Sequence, residues 1–242
     1  MRGLQLPLGV QLADRATLDN YFTGPNVELV TALRALSNPA SRPLLFIYGA
    51  VGSGKTHLLQ ALTAQAASNC AAAYVPLRQF EMEVPDVLEG LDALDLVCLD
   101  DLDAIAGRQE WMLAVLRLLD QLRTRGANAV VSAGAAPERL ARALPDLVTR
   151  LSAAAVFGLK PLNDSDRQRL LQERAAERGL QLAEEAGLLL LAQLPRDTGS
   201  LLLALDELDQ DSLRAQRRLT VPFVTDWLRR RAVANRIHHG FR

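Results

Sequence analysis

Metal-binding and redox residues are scarce in this chain: 242 residues include two cysteines and three histidines. Cys70 and Cys98 share no metal-ligand or redox spacing. Neither a zinc cluster nor a disulfide framework is expected, and both cysteines read as buried reduced thiols of a cytoplasmic protein. Net charge is scarce as well. Against 28 Asp and Glu stand 27 Lys and Arg, leaving −1, so nothing demands nucleic acid as a bulk electrostatic partner. No apolar run approaches the ~20 residues that span a bilayer, and no membrane partner is expected. The opening MRGLQLPLGVQL has neither a long apolar stretch nor a small-residue cleavage site. It reads as a short tail over 1–12, not a signal peptide. Internal repeats and low-complexity segments do not stand out. The length suits one large domain, or one domain with a small appendage.

What is there is alternation. Apolar runs at 44–48 (LLFIY), 71–77, 94–101 (LDLVCLDD), 128–134 and 154–159 read as strands buried on both faces. Helical patterns lie between them: a helix following residue 54, a short helix over 84–91, a long amphipathic helix from Ile105 to Arg125, and a helix over 137–152 broken at Pro145. Ahead of the first strand, a helical pattern runs from Val27 to Leu36. Strands alternating with helices predict a parallel sheet covered on both faces. From residue 160 the chain turns all-helical, beginning with the N-cap cluster Asn163-Asp164-Ser165.

Between the first strand and its helix, Gly49, Gly54, Lys55 and Thr56 match G-x-x-x-x-G-K-[ST]. Glycines let the backbone N–H groups of 49–56 (Gly49, Ala50, Val51, Gly52, Ser53, Gly54, Lys55, Thr56) turn inward around phosphate oxygens, and the helix N-terminus adds a positive dipole end. Lys55 is placed to reach the β and γ phosphates, and Thr56 to hold Mg²⁺. The expected cofactor is ADP or ATP with Mg²⁺. The strand LVCLDD ends in two acids at the carboxyl edge of the sheet. Asp100 is placed to hold Mg²⁺ through water, and Asp101 to polarise an attacking water. The alternative, capping of the next helix, suits Asp101 more than Asp100.

Three stretches, GSGKTHLLQA, CLDDLDAIAG and LPDLVTRL, together with TLDNYFTGPNVELVTAL near the N-terminus, resemble the AAA+ group of DnaA-type replication initiators and their relatives. The resemblance runs from about residue 17 to the end. It implies a P-loop AAA+ α/β core over 13–159, with a parallel five-stranded sheet flanked by helices, and a small all-α lid over 160–242. It further implies that Phe22 and Asn26 belong to the stretch wrapping the adenine base, with His57 in the group's GKTH. Unlike the initiators, a chain of this kind is expected to have no helix-turn-helix domain after the lid. Within the group, the lid phrase AQRRLTVPFVTDWL resembles the Hda family of DnaA-related regulators. That family docks on the DNA-loaded sliding clamp, the beta subunit of DNA polymerase III, and drives hydrolysis of the DnaA initiator's ATP. On that resemblance Gln5, Leu6 and Leu8 are the clamp-binding peptide and DNA is met indirectly through the clamp. Arg150 is then a trans arginine finger entering a neighbour's nucleotide site. A structural reading of the same arginine pairs it with Asp146. A homo-oligomer is allowed.

Two departures from the group bear on turnover. The polar residue expected after the fourth strand aligns with Gly134, Ser132 being the nearest hydroxyl. The lid arginine aligns with Gly199, with Arg196 three residues earlier. Slow intrinsic hydrolysis and a preference for ADP are expected. Arg229–Arg231, Arg236, His238, His239 and Arg242 form a basic end that suits either DNA near the clamp or a solvated helix terminus. Trp111 and Trp227 suit the core or an interface. The competing classes are a helicase-loading adaptor of the same architecture and a small-molecule kinase.

Overall fold

A computed structural model describes residues 16–36, 43–140, 142–195, 197–215 and 219–239. The chain divides into two compact units, Met1–Lys160 and Pro161–Arg242. In the first, α1 (Val27–Leu36) precedes β1 (Leu44–Tyr48), followed by α2 (Lys55–Ala66), β2 (Ala72–Pro76), β3 (Leu96–Asp100), α3 (Gln109–Arg125), β4 (Asn128–Ala133), α4 (Pro145–Ser152) and β5 (Ala155–Gly158). The strands form one sheet in the order β2-β3-β4-β1-β5, and every pairing is parallel.

Side-chain alternation along the strands explains why both faces must be covered. Leu45, Ile47, Cys98 and Val130 face a core built with α1 and α2. Their neighbours Phe46, Leu99 and Val131 face a second core around Trp111 and the rest of α3 and α4. Trp111 is fully buried, and its indole N–H donates to the Glu83 carbonyl at 2.8 Å.

Strand ends shift by a residue or two, and two helical segments depart further from the sequence reading. The long helix starts at Gln109, not Ile105. Residues Leu102–Ile105 form a 3₁₀ turn instead, and Gly107, at φ 91°, breaks the chain between the two. The short helix expected over 84–91 is a 3₁₀ turn at Pro85–Leu88.

The second unit holds α5 (Asp164–Glu177), α6 (Glu184–Gln193), α7 (Thr198–Ala215) and α8 (Val221–His239). Asn163 caps α5 by accepting the Asp166 N–H. Leu171, Leu190, Leu205, Leu208, Val224 and Trp227 centre its core. The basic end is partly absorbed here. Arg231 pairs with Glu207 and lies over the Trp227 ring at 5.0 Å, while Arg230 pairs with Asp211. Among the described residues no helix is long and apolar enough to cross a membrane.

The first unit closes on a long-range clasp. Asn26 is 5% exposed; its side-chain amide donates to the Lys160 carbonyl at 3.1 Å and accepts the Lys160 N–H at 2.8 Å. Residues 134 apart are thereby fixed together, tying the segment before α1 to the end of β5. Removing the amide leaves both Lys160 backbone groups without their partner. Asn26→Ala is expected to destabilise the first unit by about 2 kcal/mol. Urea unfolding followed through Trp111 fluorescence in a Trp227→Phe background measures it, and an unchanged midpoint would rule the clasp out as a stabilising contact.

Candidate functional site

The loop 49–54 leaves the carboxyl end of β1 and enters α2. Its shape is set where two hydrogen bonds fix the hand-off. The Gly49 N–H donates to the Ala133 carbonyl at 3.2 Å, and the Leu159 N–H donates to the Tyr48 carbonyl at 2.7 Å. Gly49 is obligatory on space, since a Cβ there would lie 2.9 Å from Leu159 Cβ. Gly54 is obligatory on conformation, with φ 98°, and on space, with Tyr21 Cε2 only 2.8 Å from a notional Cβ. Gly52 also has positive φ, 76°. Lys55 is buried across the loop: its ammonium donates to the carbonyls of Gly49 at 2.7 Å and Ala50 at 3.1 Å. One of its three protons is left over. Among the described residues Ser53 Oγ, buried in the same loop, has no hydrogen-bond partner. Ala50 and Val51 form the outer lip, Val51 being 93% exposed. Thr56 is exposed in the first turn of α2. A loop with left-handed glycines, an orphan hydroxyl, an ammonium and a helix N-terminus fits a phosphate chain.

Tyr21 covers one side of this loop. Its ring sits 5.8 Å from that of His57 at an interplanar angle of 42°, and His57 Nε2 lies 3.2 Å from the Thr17 carbonyl oxygen. His57 therefore links α2 to the N-terminal segment. Phe22 is half-buried beside Tyr21 in sequence. Asn26 is turned inward to the Lys160 backbone. Burial pushes the Tyr21 phenol from 10.0 up to about 12, against a hydrogen bond with Asn26 that pulls the other way.

The acids at the end of β3 are engaged by the protein itself. Asp100 is 2% exposed. Its Oδ2 accepts the Tyr74 hydroxyl at 2.8 Å, and its Oδ1 accepts the Ser132 hydroxyl. Asp101 adopts a left-handed backbone, φ 58°, rare for a residue with a side chain. Its N–H donates to Ser132 Oγ at 3.1 Å, and its Oδ2 accepts from Arg78 Nε at 2.9 Å. Asp103 completes the group, its Oδ1 accepting the Gly134 N–H at 2.8 Å. Among the described residues no cluster of three or more His, Cys, Asp or Glu forms a metal site. A cation here would rely on phosphate and water oxygens plus one or two protein groups, the usual manner of Mg²⁺, and Thr56 and Asp100 are of the right chemistry to supply those groups.

Arg150 sits in the last turn of α4. Its Nη2 lies 2.5 Å from Asp120 Oδ1 on α3, and 30% of its side chain is exposed. The partner is thus Asp120, not the Asp146 of the structural reading. Gln5, Leu6 and Leu8 lie outside the described residues, as does Arg196. The sequence reading missed Tyr21, Tyr74 and Arg78. The two tyrosines had a faint signal, as hydroxyl-bearing residues in or beside apolar segments near the motif.

Comparison with known proteins places these features. The family model of the bacterial DnaA ATPase domain matches residues 12–158, and that of the Hda lid domain matches residues 164–228. An uncharacterised protein of Haemophilus influenzae is 41% identical over 222 residues, covering 91% of this chain and 96% of that protein. Domain III of the Thermotoga maritima replication initiation protein DnaA is similar in structure, with TM-score 0.77 at 21% identity over 89% of this chain and 96% of that one. A replication initiator DnaA bound to AMPPCP and single-stranded DNA gives 0.73 at 22% identity, over 86% and 70%. At such identities the structural likeness speaks for the fold alone.

Two outcomes follow from the loop and its cover. Gly54→Ala forces a Cβ into a left-handed turn and against Tyr21. Binding of a fluorescent ADP analogue is expected to weaken at least ~10-fold, with the circular dichroism spectrum retained; unchanged affinity would mean that the loop is not the phosphate site. The raised Tyr21 pKa makes its neutral form the one the fold prefers. That stabilisation is present below pH 10 and is lost as pH climbs through about 12. The alkaline loss of stability is expected to be shallower in Tyr21→Phe than in the native protein, as read from melting temperatures between pH 9 and 12.

Proposed function

The chain belongs to the DnaA-related AAA+ family, with a core of the bacterial DnaA ATPase type and an Hda-type lid, and from that premise we propose that it is a nucleotide-holding regulator of replication initiation. It binds ADP or ATP with Mg²⁺ in the loop 49–56, turns it over slowly, and stimulates hydrolysis in the nucleotide site of the DnaA initiator. The observation that carries this reading is the contrast within one site. The phosphate loop is complete, whereas Asp101, the acid placed to polarise an attacking water, is paired with Arg78.

Arg150 is the group that acts on the partner. Its pair with Asp120 is half-exposed, and such a pair is worth at most about 1 kcal/mol. An arginine finger supplied in trans is worth roughly 10³ to 10⁵ in rate, about 4 to 7 kcal/mol. The resting contact is therefore weak enough to be exchanged for a phosphoryl group. It keeps the side chain ordered without withholding it. Docking on the DNA-loaded sliding clamp through Gln5, Leu6 and Leu8 would bring the finger to the initiator.

The test is phosphate release from ATP-bound initiator mixed with clamp-loaded DNA and this protein. Arg150→Ala is expected to lower the stimulation by roughly 10³-fold, while Asp120→Asn keeps it at or above the native level. Equal rates for native and Arg150→Ala would overturn the finger. Clamp binding that survives combined Gln5→Ala and Leu6→Ala would separately remove the docking peptide.

A further inference from the structure

Tyr74 of β2, Asp100 of β3 and Ser132 of β4 stand on three neighbouring strands. They are 5%, 2% and 0% exposed. Tyr74 and the residues two before Asp100 and Ser132, Cys98 and Val130, belong to the core shared with α2. The period of two therefore puts all three side chains on the α2 face. Their hydrogen bonds run in one direction. Gln60 of α2 bonds to the Tyr74 phenol, Tyr74 donates to Asp100 Oδ2, and Ser132 donates to Asp100 Oδ1. Ser132 in turn accepts the Asp101 N–H. The carboxylate thus receives one hydroxyl on each oxygen. A carboxylate has about four lone-pair sites, so each oxygen keeps one in reserve. Burial, and then the neighbouring Asp100, push the Tyr74 phenol well above its ordinary range, which keeps it a donor at any physiological pH.

We propose that Tyr74 and Ser132 are positioning residues for a divalent cation: their hydroxyls fix the Asp100 carboxylate so that its remaining lone pairs meet the water shell of Mg²⁺ carried on phosphates in the loop 49–56. The proposal rests on the phosphate-loop reading and goes beyond it. Two hydroxyl donors on separate strands remove the carboxylate's freedom to turn. The link from Gln60 ties its position to the same helix that opens at Lys55. A purely structural role, satisfying a buried carboxylate in the core, would affect stability but not the Mg²⁺ requirement of nucleotide binding.

The experiment uses the full chain and a fluorescent ADP analogue, titrated in EDTA and then against Mg²⁺. A parallel Mn²⁺ titration followed by water proton relaxation reads the cation directly. For Tyr74→Phe and Ser132→Ala, affinity in EDTA is expected to stay within twofold of native. The Mg²⁺ or Mn²⁺ concentration for half-maximal effect should rise roughly tenfold. An unchanged cation requirement in folded variants would overturn the proposal. So would an equal loss of affinity with and without cation, which would make the hydroxyls supports of the loop. If Tyr74→Phe fails to fold, Ser132→Ala, which removes a single oxygen, carries the same expectation and the same refutation. Native binding that ignores Mg²⁺ would sink this proposal alone. Absence of any nucleotide binding by the native protein would bring down the phosphate-loop reading and this proposal with it.

Discussion

The end of β1 is gripped from both sides, and the chemistry of the first unit is built outward from that grip. β4 takes the Gly49 N–H through Ala133, and the residue after β5 gives its N–H to Tyr48. Because β1 lies between β4 and β5, the strand cannot fray where it turns into the loop. A loop that must wrap phosphate oxygens with backbone N–H groups needs such a fixed starting point. Its turns use left-handed glycines, residues with wide conformational freedom unless their neighbours hold them. Tyr21 presses on Gly54 from outside, and Lys55 laces the loop's own carbonyls from within. The Asn26 clasp on Lys160 anchors both the segment that carries Tyr21 and the residue following β5's exit. One connected set of contacts thus runs from the N-terminal segment, through the loop, to the last residue of the first unit.

Beside this preorganised loop, the acidic edge of the sheet is closed on itself. Asp100 holds two hydroxyls, Asp101 holds Arg78, and Asp103 holds a backbone N–H. The left-handed backbone of Asp101 costs on the order of 1–3 kcal/mol and persists because its N–H and its carboxylate are both engaged. To act on a water, that carboxylate would have to leave Arg78. Holding a nucleotide, as proposed, would require nothing of the kind, since the loop glycines and the α2 N-terminus are already in a conformation suited to phosphate oxygens.

Much of this was legible in the residues, for identifiable reasons. Strands β1 to β4 were readable as largely apolar runs, the signature of a strand buried on both faces, whereas β5, read in the same way, is mostly exposed. The loop was readable because its glycines are obligatory, two by conformation and one by contact with Leu159. Arg150 could be singled out, but its partner could not. Asp120 lies 30 residues away on another helix, whereas Asp146 is a near neighbour in sequence. The start of α3 was misplaced because Leu102–Ile105 continues the apolar pattern, and one glycine at positive φ overrides it. Tyr74, Arg78 and Ser132 became functional neighbours only through the strand order, in which β3 sits between β2 and β4. Sequence distance hides that adjacency, and no local motif encodes it.

Gly134 in the first unit and Gly199 in the second stand where the sequence resemblance implies a polar or basic side chain. Gly134 donates its N–H to Asp103, and a Cβ there would meet only that carboxylate, at 3.7 Å, an ordinary contact. Gly199, in the first turn of α7, would among the described residues meet only Asp197 Oδ1, at 3.4 Å. Neither glycine has positive φ, unlike Gly52 and Gly54. Backbone conformation and packing therefore compel glycine inside the phosphate loop and do not compel it at either of these positions. The fold had room for polar side chains there and carries none. That asymmetry supports the proposed reading, in which the phosphate loop would hold a nucleotide without help from side chains at these two positions.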